Sequence, residues 1–123
     1  MNNIEYRAWD KKYSVYHLNA LPITEGLVIS GEYKGYVFLP FDDSNYIFEQ
    51  FTGQVDNKNK KIFAGDIIKY DGFIGKVIWN NKDSCYEVRG KDVFTNCWNP
   101  DSIEVVGTIL EDGDPDVTKR RYS

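Results

Sequence analysis

The chain has 123 residues and a formal net charge of −4, and its 41% hydrophobic and 28% charged residues lie in the ordinary globular range, which argues against both wholesale disorder and a membrane protein. Val, Ile, Thr, Phe, Tyr and Trp supply 45 residues against nine from Ala, Leu and Met, which excludes a helical bundle and leaves a strand-rich fold with a modest core. The acidic balance also argues against holding a nucleic-acid duplex by neutralising many phosphates.

At the start of the chain, residues 4–9 and 13–18 flank Asp10-Lys11-Lys12 and read as an N-terminal hairpin. Glu5, Arg7 and Asp10 interrupt the first ten residues, so no secretory leader is expected there. Residues 27–30, 36–39 and 46–51 are further strand candidates, with Pro22, Gly26, Gly31, Gly35 and Pro40 as breaks. A short helix over 43–50 is the competing reading of the last of these. It lacks a capping box, because Ser44 is followed three positions later by Ile47.

From Gly65 the punctuation becomes regular. Asp66–Tyr70 meets a strand over 73–79 across Asp71-Gly72, a pair that accepts the positive φ of a tight hairpin turn. A polar turn at residues 80–83 leads into Cys85–Arg89, and Gly90-Lys91-Asp92 reverses the chain into residues 93–98. Asn99-Pro100-Asp101-Ser102 reads as a turn or a single 3₁₀ turn before a last strand over 103–110.

The chain is therefore expected to be mainly β. Five strands with a compact turn before the last predict an SH3-like β-barrel at residues 53–110. Residues 1–52 form an N-terminal β extension packed on it, and 111–123 a flexible tail. The barrel core is expected from Ile67, Val77, Ile78, Trp79, Val88, Phe94 and Val105.

Chemical motifs are sparse. Cys85, Cys97 and the single His17 are too few for a zinc site, and two cysteines suit a reducing, cytoplasmic setting. A three-residue reversal at 90–92 pairs Arg89 with Val93 and sets Cys85 opposite Cys97, whereas a two-residue turn separates them. Reduced thiols are the expected state. The DNKNKK segment from Asp56 places Lys58 and Lys60 where a calcium loop needs oxygen ligands, so it reads as a solvated hairpin tip. Asp112, Asp114 and Asp116 lack the spacing of an EF-hand, and Gly72-Phe73-Ile74-Gly75-Lys76 lacks that of a phosphate loop. His17 stands beside Tyr16 without a nucleophile to serve and reads as packing or surface. Gly65 and Asp66 read as turn-setting residues. A catalytic reading makes Asp66 an acid or base with Glu49 or Asp71 as partner.

Three segments carry a family resemblance: Tyr6-Arg7-Ala8-Trp9-Asp10, FEQFTGQVDNKNKKIFAGDIIKYDG from residue 48 to 72, and IEVVGTILEDGD from residue 103 to 114. In this order they resemble the YopX family of phage and prophage proteins, with its R-A-W-D opening and closing E-V-x-G. The resemblance implies an accessory protein of bacterial hosts with a barrel-like second half. It brings no catalytic residue, metal or cofactor with it, and residues 18–45 match no pattern of the family.

Aromatic residues are the compositional excess, at 15%. Most are expected in the core, and a surplus on one face suits a partner. The expectation is thus a non-enzymatic protein-interaction module acting on a host or phage protein in the bacterial cytoplasm. It needs no cofactor and no membrane, and an exposed strand edge is available for self-association. The alternative is a barrel that binds single-stranded nucleic acid through Lys58, Lys60 and Lys61, with Lys69, Lys76 and Lys82 extending the basic rim and Lys119-Arg120-Arg121 as a second cluster.

Overall fold

The computed structural model describes residues 5–23, 25–30, 36–70, 72–80, 82, 84–90, 94–95 and 100–115. The chain is mainly β and divides into two compact units, Met1–Phe51 and Thr52–Ser123. Among the described residues no helix is long and apolar enough to cross a membrane.

In the first unit β1 (Tyr6–Asp10), β2 (Val15–Ile23), β3 (Gly26–Ser30), β4 (Tyr36–Pro40) and the start of β5 (Tyr46–Val55) form an antiparallel sheet in the order β4-β3-β2-β1-β5. The expected hairpin is present, with Trp9 opposite Tyr16 and Asp10 opposite Val15. Residues 46–51 are strand, so the helical alternative does not form. Pro22 does not break β2 but sits opposite Leu27 of β3. The β1 partners on β2 reach only Ala20, so Pro22 lies where one side of the strand no longer needs an N–H donor.

The alternation of β1 uses both of its faces. Ala8 joins Leu27 and Leu39 in an apolar cluster flanked by Tyr6, Tyr46 and Phe48, while Arg7 and Trp9 point the other way and are buried as well. All four residues of R-A-W-D are buried, so β1 is covered on both of its faces.

In the second unit the end of β5 turns into β6 (Lys61–Phe63), where the Thr52 hydroxyl donates to the Ile62 carbonyl at 2.7 Å. Next come β7 (Asp66–Tyr70), β8 (Phe73–Asn80), β9 (Cys85–Arg89), β10 (Phe94–Thr95), a 3₁₀ turn at Pro100–Ser102, β11 (Ile103–Thr108) and the short helix α1 (Ile109–Asp112). The strands form an antiparallel half-barrel in the order β10-β9-β8-β7-β11. Ile62, Ile68, Val77, Val88, Ile103 and Val105 make its core, with Tyr70 and Tyr86 against it. Full burial of such a side chain contributes about 1.5–3 kcal/mol relative to exposure.

The β7–β8 hairpin has the expected two-residue connection, with Tyr70 opposite Phe73 and Gly72 at φ +85°. Other expectations need correction. Trp79 is 48% exposed and meets Tyr86 edge-on at 4.9 Å near the end of β8, outside the core, and Ile78 is half-buried. The side chain of Phe94 lies outside the described residues. Arg89 faces Phe94 rather than Val93, so four residues, not three, separate the paired positions and the register is shifted by one. Cys97 lies outside the described residues, and Cys85 stands opposite Asn80 on β8. The last strand ends at Thr108, because the Thr108 hydroxyl accepts the Glu111 amide at 3.1 Å and caps α1. Glu111 and Asp112, assigned to the tail in sequence, belong to this helix, and Asp114 reaches Lys76 at 2.7 Å.

Candidate functional site

The turn between β5 and β6 is built around one carboxylate. Asp56 Oδ1 accepts the amides of Lys58 at 2.9 Å and Lys60 at 2.8 Å, and Oδ2 accepts the amide of Val105 at 2.9 Å. Asn59 completes the turn at φ +64°, a left-handed conformation that asparagine tolerates. Burial alone would push the Asp56 carboxyl up, but the Val105, Lys60 and Lys58 amides, with the Lys60 charge, hold it below the usual carboxylate value. This carboxylate fastens backbone and offers nothing like the oxygen cage of a calcium loop.

Lys58, Lys60 and Lys61 are all exposed on this turn and the start of β6. The structure brings them together but interleaves them with acid. Lys58 Nζ meets Glu104 Oε2 at 2.9 Å, and this hydrogen bond and the carboxylate charge raise the lysine's pKa. Lys69 stands opposite Glu104 in the ladder, and Lys76 is engaged by Asp114. Lys82 is exposed, while residues 119–121 lie outside the described residues.

Asp66 is 1% exposed, and its Oδ2 accepts the Phe63 amide at 2.7 Å across a turn in which Gly65 has φ +91°. The Gly65 amide donates to the Val77 carbonyl at 2.8 Å, and the Gly65 carbonyl accepts from Ile109 at 2.9 Å. The Gly-Asp pair therefore sets a turn and ties it to β8 and α1, as its residue types suggest. Asp71 lies outside the described residues. Glu49 Oε1 accepts from Arg7 Nε at 2.9 Å and from the Tyr16 hydroxyl at 2.8 Å, with the Arg7 guanidinium 4.5 Å from the centre of the Tyr16 ring.

Asp10 caps the first hairpin. Its Oδ1 accepts the amides of Lys12 and Tyr13 and the Asn45 side chain, and its Oδ2 lies 3.4 Å from His17 Nε2. Burial opposes ionisation here too, yet the donors from Asn45, Tyr13, His17 and Lys12 lower the carboxyl's pKa. His17 packs edge-on against Tyr46 at 6.2 Å, in line with a packing role. Among the described residues no three His, Cys, Asp or Glu side chains converge as metal ligands do.

Two features were not legible in sequence. Glu87 lies between Tyr86 and Val88 on β9, and its place in the alternation does not reveal its burial. It is fully buried, accepting from Asn80 Nδ2 at 3.0 Å and from Arg89 at 2.6 Å. The other is a cleft of about 350 Å³ in the first unit, lined by Glu25, Phe38, Pro40, Phe41 and Asp42. Phe38 and Phe41 are 46% and 41% exposed. A Cβ at Gly26 would run into the Leu39 carbonyl oxygen and lie 2.7 Å from the Phe38 ring and 2.9 Å from the Pro40 Cα, so the missing side chain lets both the backbone of β4 and that ring come close. Only the Phe-Leu-Pro-Phe run around Phe41 hinted at it.

Comparison with known proteins agrees with this architecture. The family model described as YopX protein matches residues 5–114. The crystal structure of protein EF1440 from Enterococcus faecalis superposes with a TM-score of 0.66 at 18% identity, covering 92% of this chain and 97% of that one. That likeness is one of fold. No curated protein matches.

Proposed function

The chain belongs to the YopX family, and from that premise we propose that it is a phage or prophage accessory protein that binds another protein and catalyses no reaction. The second unit is read as an SH3-like barrel, and the setting as the cytoplasm of a bacterial host. The observation that carries this reading is the division of labour among the side chains. The buried carboxylates Asp10, Asp56, Asp66 and Glu87 accept hydrogen bonds within the fold, whereas Tyr13, Leu18, Phe38, Phe41, Phe73 and Trp79 are large, apolar and exposed. Exposed aromatic side chains with polar neighbours suit a protein partner. The alternative, single-stranded nucleic acid on Lys58, Lys60 and Lys61, is disfavoured by the acidic groups among those lysines and by the net charge of −4.

Affinity purification from infected or lysogenic cells, with and without nuclease, tests the proposal. Recovery of one defined host or phage protein that survives nuclease and moderate salt is the expected result. Recovery of nucleic acid alone, lost at raised salt and on replacing Lys58, Lys60 and Lys61 by Glu, overturns it.

A further inference from the structure

Resting on the protein-binding reading, we propose that the cleft lined by Glu25, Phe38, Pro40, Phe41 and Asp42 receives an arginine or lysine side chain from an extended segment of the partner. Two exposed carboxylates stand at the rim of an aromatic cleft, and among the described residues no lysine or arginine pairs with either. A cation gains from both parts of such a surface, by attraction to the aromatic face and by charge-assisted hydrogen bonds to the rim. A volume of about 350 Å³ lies at the small end of ligand sites and suits a side chain with its neighbour better than a cofactor.

The cleft is also preorganised. The Phe41 amide donates to the Glu25 carbonyl at 3.0 Å, and the Asp43 amide to the Pro40 carbonyl at 3.1 Å, which fixes the turn carrying Phe41 and Asp42. The Phe41 ring is wedged against Phe48 at 5.2 Å and Tyr6 at 5.9 Å, and Phe38 is held across Gly26. Little ordering is left for binding, so a small contact retains more of its gross attraction. β4, which carries Phe38 and Pro40, ends the described strand order of its sheet. Its outer edge is the line along which an extended segment places alternate side chains toward the cleft.

The test titrates the isotope-labelled full chain with two hexapeptides that share a sequence, one carrying arginine between two leucines and the other citrulline in its place. The expected result is amide shifts at Gly26, Phe41 and Asp42, with the arginine peptide at least about fivefold tighter, the ratio expected from ~1 kcal/mol of added attraction. Combining Glu25→Gln with Asp42→Asn removes that preference and leaves the spectrum elsewhere unchanged. Equal affinity for both peptides, or no shifts at millimolar peptide, overturns the assignment. A purified partner that binds the double variant as tightly as the wild type also overturns it while the protein-binding reading stands. Recovery of no protein partner removes the protein-binding reading, and the peptide pair still decides what the cleft accepts.

Discussion

The carboxylate of Asp56 accepts the backbone amide of Val105 at 2.9 Å, across 49 positions of sequence. Val105 pairs with Ile68 of β7 on its other side, so the side chain of a turn residue stands where a neighbouring strand would supply an acceptor. The edge of β11 is held there by this carboxylate, and two residues back by the Asn57 amide, which donates to the Ile103 carbonyl at 2.9 Å. Replacing Asp56 by Ala strands the Val105 amide and the turn amides of Lys58 and Lys60. Leaving a buried donor unmet costs about 1–3 kcal/mol, and the loss here is expected at about 2–4 kcal/mol in urea unfolding. Lys58→Ala is the control, since its pair with Glu104 leaves the lysine side chain 71% exposed, and it should leave stability nearly unchanged.

Asp56 also sets an acid limit. Its carboxyl has a folded-state pKa below the ordinary 3.8, so the folded state binds its proton less readily than the unfolded chain. The resulting stability is complete above the unfolded value and is lost as pH falls through the folded one. Asp10, lowered by its own donors, acts in the same direction. Unfolding curves collected from neutral pH downward should hold steady until the carboxylate range and then drop. Asp56→Asn should flatten that drop without removing it.

Arg7 and Glu49 form a pair with side chains only 8% and 10% exposed. Substituting Arg7 by Met leaves a buried carboxylate with only the Tyr16 hydroxyl among the two donors described above, and about 3–5 kcal/mol of stability should be lost. Adding Glu49→Met should restore a large part of it. A double-mutant cycle on thermal unfolding reads the difference directly.

Much of the strand order was legible because local chemistry and tertiary packing agree. Asp71-Gly72 between alternating runs gives the β7–β8 hairpin, and Tyr86 and Val88 mark the inward face of β9. The failures share a cause. The period of a strand says which residues share a face but not whether that face is covered, so Trp79 read as core and nothing in the alternation marked Glu87 as buried. The candidate site was harder still. Glu25 and Phe41 meet only because β3 pairs with β4, and the absent side chain of Gly26 is what lets the β4 backbone and the Phe38 ring approach.

The contrast between the two-residue turn at Gly72 and the distant contact of Asp56 with Val105 has a consequence in time. Closing a short loop is fast, while joining residues 49 apart requires most of the second unit to be in place. The β7–β8 hairpin is thus expected to form in the folding transition state, and the Asp56 clasp to close after it. Gly72→Ala, strained at φ +85°, should chiefly slow refolding, whereas Asp56→Asn should chiefly hasten unfolding. Stopped-flow rates for the two variants distinguish this order from its reverse. In that order the side chain that covers the edge of β11 acts as a latch, set last and determining how long the folded molecule lasts.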